Sequence, residues 1–206
     1  MMIDVEQGSP EWFACRLGKV TSSRISDVMA KGKGGALSAT RKNYMYQLLL
    51  ERLTGEVAEH YSSPEMQRGV DKEPFAADAY EIQTFNIAVK CGFFESPDGS
   101  MSGSSPDRLV GLDGIVEIKN PNTSTHIETI LSGEIKKEYI YQIQDQLYCS
   151  ERQWADFVSY DSRCPENLRL YIKRIDRDEE MIKSINAEKE LFLKELDDLE
   201  LKIRSL

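Results

Sequence analysis

Long apolar runs are absent from this sequence, since no stretch approaches the roughly 18 residues that a membrane-spanning helix needs. The first residues lack the basic and apolar segments of a signal peptide. Cysteine is scarce and forms no Cys-x-x-Cys pair: Cys15, Cys91, Cys149 and Cys164 lie far apart. We therefore expect a cytoplasmic protein with reduced thiols, no membrane segment and no cysteine-based metal site. His60 and His126 have no ligand-like spacing, and we assign them no chemistry.

Basic residues are fewer than acidic ones, since the sequence has 26 Lys and Arg against 35 Asp and Glu and a net charge of −9. This balance argues against a surface that is basic throughout, and most affinity for DNA comes from basic side chains on phosphates. Much of the acidity lies in two C-terminal segments, 176–180 and 188–200. A DNA-binding function would therefore need a local basic groove or channel within an acidic exterior.

The chain is long enough for one sizeable domain, and no repeat or linker divides residues 1–206. Apolar spacing and end signals predict helices from Pro10 onward and over 22–30, 38–53, 64–82, 136–149 and 177–206. Alternation predicts strands over 86–95, 100–104, 107–112, 115–119, 154–160 and 168–174. This order predicts an α/β fold with a central mixed sheet flanked by helices. In the glycine-rich segment 31–35, Lys31 and Lys33 either touch DNA or are only solvated.

The most informative segment joins two predicted strands through a glycine-containing turn, between Asp107 and Lys119. Alternation along the second strand places Glu117 and Lys119 on one face. Val116 and Ile118 then lie on the opposite face, which is apolar and belongs in the core. A carboxylate and an amine side by side on such a strand need a partner.

The length of the turn decides whether Asp107 can be that partner. A two-residue turn would pair Asp107 with Asn120 and direct its side chain to the wrong face. A loop of three or five residues pairs Asp107 with Glu117, and Gly111 or Gly114 can supply the left-handed residue that such loops favour. We therefore predict an odd-length loop or a bulge.

With that register, two hard oxygen ligands on neighbouring strands suit Mg²⁺, which keeps several waters and takes phosphate oxygens. A bound metal would stabilise the charge that develops on a phosphate during hydrolysis. Lys119 beside it would either have a lowered pKa or hold and orient the attacking water. The alternative is a surface salt-bridge pair on an edge strand, and the spacing by itself does not choose between the two.

The order Pro106, Asp107, nine residues, Glu117, one residue, Lys119 resembles the PD-(D/E)xK nuclease superfamily. More narrowly, the chain resembles the lambda-type phage exonucleases, the alkaline exonucleases of phage recombination systems. Five blocks carry this resemblance in order: 12–23, 68–73, 105–107, 117–119 and 139–144. They span most of the chain. The resemblance implies a restriction-endonuclease-like core.

The resemblance also implies a metal centre. Asp107 and Glu117 match the family's metal ligands, and the backbone carbonyl of Ile118 matches a third. Lys119 matches the lysine that activates water. The expected cofactor is Mg²⁺, with two ions bound and Mn²⁺ able to substitute.

Further residues match helpers of that centre. Gln142 matches the glutamine that orients the lysine or the water, and Gln144 is a second candidate. Glu73 matches an additional active-site acid that acts on a metal through water. Pro74 follows it and disfavours helical geometry at the glutamate, so a solvated helix residue is the alternative.

A second group of matches concerns the end of a DNA duplex. Arg16, Ser23 and Ser105 match a pocket for the terminal 5′-phosphate, for which arginine supplies a planar fork and serine short donors. Met66 matches an apolar wedge that separates the strands. Taken singly, Ser23 can be a helix cap, Ser105 a turn residue and Met66 an ordinary core residue.

The resemblance implies a 5′-to-3′ exonuclease on ends of linear double-stranded DNA, releasing mononucleotides and leaving 3′ overhangs for a single-strand annealing protein. It further implies a phage- or prophage-encoded enzyme in the cytoplasm of a bacterial host. The rival interpretations are a site-specific endonuclease on the same fold and a catalytically inactive protein that binds DNA ends. The intact Asp107, Glu117 and Lys119 argue against the inactive protein.

The family forms ring-shaped homotrimers, which would reconcile an acidic exterior with a basic channel. The terminal helix carries an apolar stripe near three-four spacing: Ile182, Ile185, Phe192, Leu196, Leu199, Ile203 and Leu206. Such a stripe either joins subunits as in a coiled coil or packs on its own domain.

Overall fold

The structure is a computed structural model that describes residues 1–32, 38–57 and 64–206, without the side chains at 65 and 66. Its helices are α1 (Pro10–Arg16), α2 (Ile25–Val28), α3 (Ala39–Thr54), α4 (Pro64–Thr84), α5 (Thr123–Ser132), α6 (Lys137–Ser150) and α7 (Glu179–Arg204). Its strands are β1 (Met2–Ile3), β2 (Val20–Thr21), β3 (Ala88–Val89), β4 (Phe93–Glu95), β5 (Ser102–Ser104), β6 (Arg108–Val110), β7 (Gly114–Lys119), β8 (Trp154–Tyr160) and β9 (Leu170–Asp176). Within these ranges, no helix is long and apolar enough to cross a membrane.

The strands form two sheets, in the orders β1-β4-β5-β2 and β3-β6-β7-β8-β9. The larger sheet is mixed, because β7 and β8 run parallel while their outer neighbours pair antiparallel. Helix α4 packs on the face that carries Val116 and Ile118, and α6 packs on the face that carries Ile115. The predicted α/β fold with a mixed sheet between helices is confirmed, and the smaller sheet is an addition to it.

The turn between β6 and β7 is a three-residue loop, because Val110 pairs with Gly114. Gly111 has a φ of 53° and supplies the left-handed residue. Arg152, just after α6, donates from Nη1 to the carbonyls of Gly111 at 3.0 Å and Gly114 at 2.7 Å. The predicted odd-length loop is therefore confirmed, and a side chain from outside the hairpin holds it.

The predicted strand over 86–95 is wrong, because this segment supplies β3 to one sheet and β4 to the other. Gly92 lies between them, where the backbone passes so close to β1 that a Cβ would meet the Ile3 carbonyl oxygen at 2.1 Å. The chain changes sheets there, so the apolar pattern of the segment serves two separate surfaces.

The prediction also omitted helix α5. Its end signals are present: the Asn122 side chain accepts from the Thr125 N–H at the start, and Gly133 ends the helix at a φ of 65°. Threonine and serine dominate its sequence and weaken the helical pattern.

Helix α7 packs on the core of its own chain. Ile185, Phe192 and Leu196 are buried together with Tyr44 and Leu48 of α3. Of the two interpretations of the apolar stripe, the structure therefore supports the intramolecular one for these positions. Ile203 and Leu206, at the end of the stripe, remain exposed.

Candidate active site

Asp107 lies immediately before β6 and faces β7. Arg108 pairs with Val116, so the same register places Asp107 opposite Glu117. The Ile118 N–H donates to Asp107 Oδ2 at 2.6 Å, and Glu117 is only 2% exposed. The predicted pair of carboxylates on neighbouring strands therefore comes together at the open end of the hairpin.

Lys119 and Gln142 complete this group from β7 and α6. Lys119 Nζ donates to Glu117 Oε1 at 2.5 Å and to Gln142 Oε1 at 3.1 Å, while Gln142 Nε2 donates to Glu117 Oε1 at 2.7 Å. Burial opposes the charge of Lys119, but Glu117 and Asp107 more than offset it, and the pKa of Lys119 lies above its usual value. Glu117 and Gln142 thus hold the Lys119 ammonium in place at the end of β7.

Glu73 reaches the same region from α4. The helix continues through Pro74, so the expected disruption at Glu73 does not occur. Its carboxylate accepts from Arg108 Nη1 at 2.5 Å. Burial first, and then the charges of Glu117 and Glu73, raise the pKa of Asp107 well above its usual value. The three carboxylates therefore lie close enough to repel one another.

Accumulated negative charge of this kind is what a divalent cation would neutralise. The described residues contain no group of three or more His, Cys, Asp or Glu that could hold a metal ion. Mg²⁺ needs fewer side chains than such a group provides, because it keeps waters and takes substrate oxygens. Each carboxylate offers about four acceptor positions, so the contacts to Asp107 and Glu117 leave positions free. Together with the Ile118 carbonyl, these residues fit Mg²⁺.

A cavity of about 580 Å³ adjoins this group, and its lining includes Glu73, Arg16 and Ser23. The Arg16 guanidinium lies over the ring of Trp12, 4.0 Å from its centre. Trp12 Nε1 in turn donates to Ser105 Oγ at 2.8 Å. The structure thus brings Arg16 and Ser23 to one cavity and connects Ser105 to it through Trp12.

Arg16 feels the charge of Glu51, which also lines the cavity, without forming an ion pair with it. Two other basic residues of the cavity are paired, Lys19 with Glu95 and Arg24 with Asp27. Arg16 has no such ion pair among the described residues, and its polar contact is the tryptophan ring. Burial lowers its pKa to about 10, so the guanidinium still carries its charge near neutral pH. An oxyanion in the cavity would supply the missing partner.

Comparison with known proteins assigns this arrangement to a family. A family model described as a YqaJ-like viral recombinase domain matches residues 11–153. The chain belongs to this family. The predicted resemblance to phage alkaline exonucleases is confirmed, and the matched residues include every predicted site residue. The comparison with curated proteins gave no significant match.

Several solved exonuclease structures are also similar to this chain. LHK-Exo, an alkaline exonuclease from Laribacter hongkongensis, is 46% identical, with 96% of this chain and 97% of that chain covered and a TM-score of 0.89. Its complex with dAMP matches with a TM-score of 0.90 at the same identity and coverage. A phage-related exonuclease from Haemophilus somnus, 17% identical over 90% of this chain and 96% of that chain, shares the fold with a TM-score of 0.69.

Within the recombinase domain, one glutamine was predicted wrongly and another was missed. Gln144 Nε2 donates to the Asp176 carbonyl at 2.8 Å, and its Oε1 accepts from the Asp178 N–H at 2.9 Å, so it holds the start of α7. Gln146 instead donates to Glu117 Oε2 at 2.7 Å. Gln142 and Gln146 are four residues apart and share a helix face, a spacing that could have indicated the pair.

These two glutamines offer a matched experiment. Gln146→Met removes a donor that orients Glu117, and we expect Mg²⁺-dependent digestion to fall roughly ten- to a hundredfold, as for other partners of metal ligands. Gln144→Met, equally buried on the same helix, should lower the melting temperature while the rate stays near normal. Rate measurements over a Mg²⁺ titration and thermal melts separate the two effects. Equal losses of rate in both variants would contradict the role of Gln146.

Some predicted residues lie outside the described part of this recombinase domain. The side chain of Met66 is one, so the predicted wedge stays a prediction, and Lys33 and His60 are others. His126 is fully buried, with contacts to Ser159 Oγ and the Leu168 carbonyl, both at 2.7 Å. Its ring is occupied by structural hydrogen bonds, in agreement with the absence of a predicted role.

Proposed function

We propose that this chain is a Mg²⁺-dependent 5′-to-3′ exonuclease on linear double-stranded DNA that releases 5′-mononucleotides and leaves 3′ single-stranded overhangs. The enzyme class, a deoxyribonuclease, follows from the family and from the match to an alkaline exonuclease. The observation that carries the finer proposal is the group of Asp107, Glu117 and Glu73, because Glu73 also lines the cavity that holds Arg16, an arginine without an ion pair among the described residues. Residues 1–206 act as one nuclease domain in this proposal.

Asp107, Glu117 and the Ile118 carbonyl would hold the metal. Two Mg²⁺ ions are expected, with Mn²⁺ able to substitute, and when bound they would stabilise charge on the phosphate and on the attacking oxygen. Gln142 and Gln146 each donate to a different oxygen of Glu117 and thus fix the plane of that carboxylate. Asp107 is fixed by the Ile118 N–H.

Lys119 would orient the attacking water. Its ammonium has three donors, of which two point to Glu117 and Gln142. The third can therefore hold a water next to the scissile phosphate. Tyr139 limits the movement of the lysine, because its ring centre lies 5.0 Å from Nζ.

Arg16 would bind the terminal 5′-phosphate, with the hydroxyls of Ser23 and Ser105 as further donors. A terminal phosphate held in the cavity would place the next phosphodiester at the carboxylate group, which favours cleavage one nucleotide from the end. The Laribacter relative has been solved in complex with dAMP, a mononucleotide, and this supports mononucleotide products here.

End-labelled duplexes test the direction of digestion. A linear duplex labelled at its 5′ ends should release labelled mononucleotide in the first turnovers, whereas a label at the 3′ ends should stay in long products until late. Covalently closed circular DNA should remain intact over the same time. Early release of the 3′ label would contradict the direction, and linearisation of the circle would identify an endonuclease.

Assembly is the remaining part of the proposal. A homotrimer would concentrate basic residues around DNA despite the net charge of −9. Light scattering should then give three times the chain mass of 23.5 kDa, and a strict monomer at micromolar concentration would contradict this. A single-strand annealing protein is the expected partner for the overhangs.

A further inference from the structure

A buried ion pair lies behind the active site. Asp145 of α6 and Lys189 of α7 are each 1% exposed, and Lys189 Nζ donates to Asp145 Oδ1 at 2.6 Å. Burying two charges is costly, and replacing such a pair by apolar residues of similar volume is often neutral or stabilising. A gain in stability is therefore a weak explanation for this buried ion pair, and its other contacts point to a different role.

The other oxygen of Asp145 binds a hydroxyl from the opposite side. Ser22 Oγ donates to Asp145 Oδ2 at 2.7 Å, and Ser22 is 2% exposed. Ser22 begins the 3₁₀ turn Ser22–Arg24, whose next residue, Ser23, lines the cavity with Arg16. One carboxylate thus connects a wall of the cavity to α6.

The same helix segment holds the carboxylate group. Gln142 precedes Asp145 by three residues and Gln146 follows it directly, and both donate to Glu117. Asp145 therefore lies between the turn that reaches the cavity and the glutamines that orient Glu117. Lys189 holds Asp145 from α7, which lies outside the residues that the family model matches.

We propose that Asp145, held by Lys189, sets the position of the Ser22–Arg24 turn relative to Glu117 and so determines how strongly the enzyme prefers 5′-phosphorylated ends. This inference rests on the proposed function, because it requires a phosphate in the cavity and hydrolysis beside Glu117. Asp145 is a positioning residue that acts through Ser22 and α6. Moving the turn by about 1 Å relative to Glu117 is enough to slow a reaction that depends on their relative position.

The test measures the ratio of digestion rates on 5′-phosphorylated and 5′-hydroxyl duplex ends. Ser22→Ala removes the donor to Asp145, and the ratio should fall about three- to tenfold, the effect of losing part of one charge-assisted hydrogen bond. Asp145→Leu with Lys189→Met replaces the pair by apolar side chains of similar shape. This double variant should melt near the temperature of the unaltered enzyme and lose the same preference.

Thr123→Val is the matched control. Thr123 Oγ1 donates at 2.7 Å to Asp161, a buried carboxylate that also pairs with an arginine, Arg163. This variant loses an equivalent hydrogen bond that involves neither Ser22 nor α6, so its ratio should not change. An unchanged ratio in both folded test variants would overturn the role of Asp145 alone. If the unaltered enzyme shows no preference for phosphorylated ends, the phosphate cavity itself is wrong and this inference falls with it.

Discussion

Asp107→Ala should reduce Mg²⁺-dependent digestion of linear duplex by roughly a thousandfold or more, because it removes a proposed ligand from the charge-stabilising centre. DNA binding and the melting temperature should change little, since the substitution also relieves the repulsion among Asp107, Glu117 and Glu73. Single-turnover rates, a duplex-binding assay and a thermal melt measure the three quantities. Asp113→Ala, at the exposed loop of the same hairpin, is the control and should digest normally.

Substitutions of Lys119 distinguish metal binding from water activation in the same centre. Lys119→Ala should leave the proposed metal ligands in place and still stop digestion, so this variant should bind the metal without cleaving DNA. Lys119→Arg should not restore activity, because a planar guanidinium cannot take the place of a compact ammonium between Glu117 and Gln142. Near-normal turnover in Asp107→Ala or in Lys119→Ala would contradict the assignment of the centre.

Arg16→Ala should slow digestion of 5′-phosphorylated ends roughly ten- to a hundredfold, the effect of losing a charge-assisted contact of about 1.5–3 kcal/mol. Ends that carry a 5′-hydroxyl should be poor substrates already and should lose much less. Rates on both kinds of end, with each enzyme, form a cycle in which the two changes remove one contact and are therefore non-additive.

Lys19→Ala provides the comparison for Arg16. Lys19 lines the same cavity, but its charge is already paired with Glu95 at 2.9 Å. Its removal should cost less than about threefold, as expected for a partly exposed ion pair. Additive effects in the Arg16 cycle, or equal losses for Arg16→Ala and Lys19→Ala, would exclude Arg16 as the phosphate ligand and leave the metal centre unaffected.

The core of the active site could be predicted from the sequence because its chemistry constrains its geometry. Asp107 and Glu117 can share a metal only if the loop between their strands has an odd number of residues, and the loop has three. Strict alternation then also places Lys119 beside Glu117. The two-residue period of side chains along a strand and the need for two carboxylates at one metal were sufficient for this prediction.

Residues that act across elements were harder to predict. Gln144 and Gln146 are of the same type and equally buried, and the four-residue spacing indicates Gln146 only once Gln142 is known to face Glu117. Arg108 binds Glu73 only because α4 continues through Pro74, against the local preference at that position. Such contacts depend on the packing of whole helices, which no local pattern contains.

The division of the strands into two sheets had a similar cause. The segment around Gly92 has the apolar residues of one long strand, yet the backbone of β1 approaches it too closely for any Cβ. The contact between Ile3 and Gly92, almost ninety positions apart in the sequence, therefore separates β3 and β4 into different sheets. The short strands β4 and β5 lie side by side between β1 and β2, and Phe94 of β4 packs against Cys149 of α6.

Digestion of a 5′-phosphorylated linear duplex, with Mg²⁺ and with a chelator in its place, tests the central claim most directly. The proposed metal centre predicts release of mononucleotides with Mg²⁺, no release with the chelator, and recovery when Mg²⁺ is added back. Equal digestion in the chelator, or no digestion under either condition by a folded protein that binds duplex ends, would contradict it.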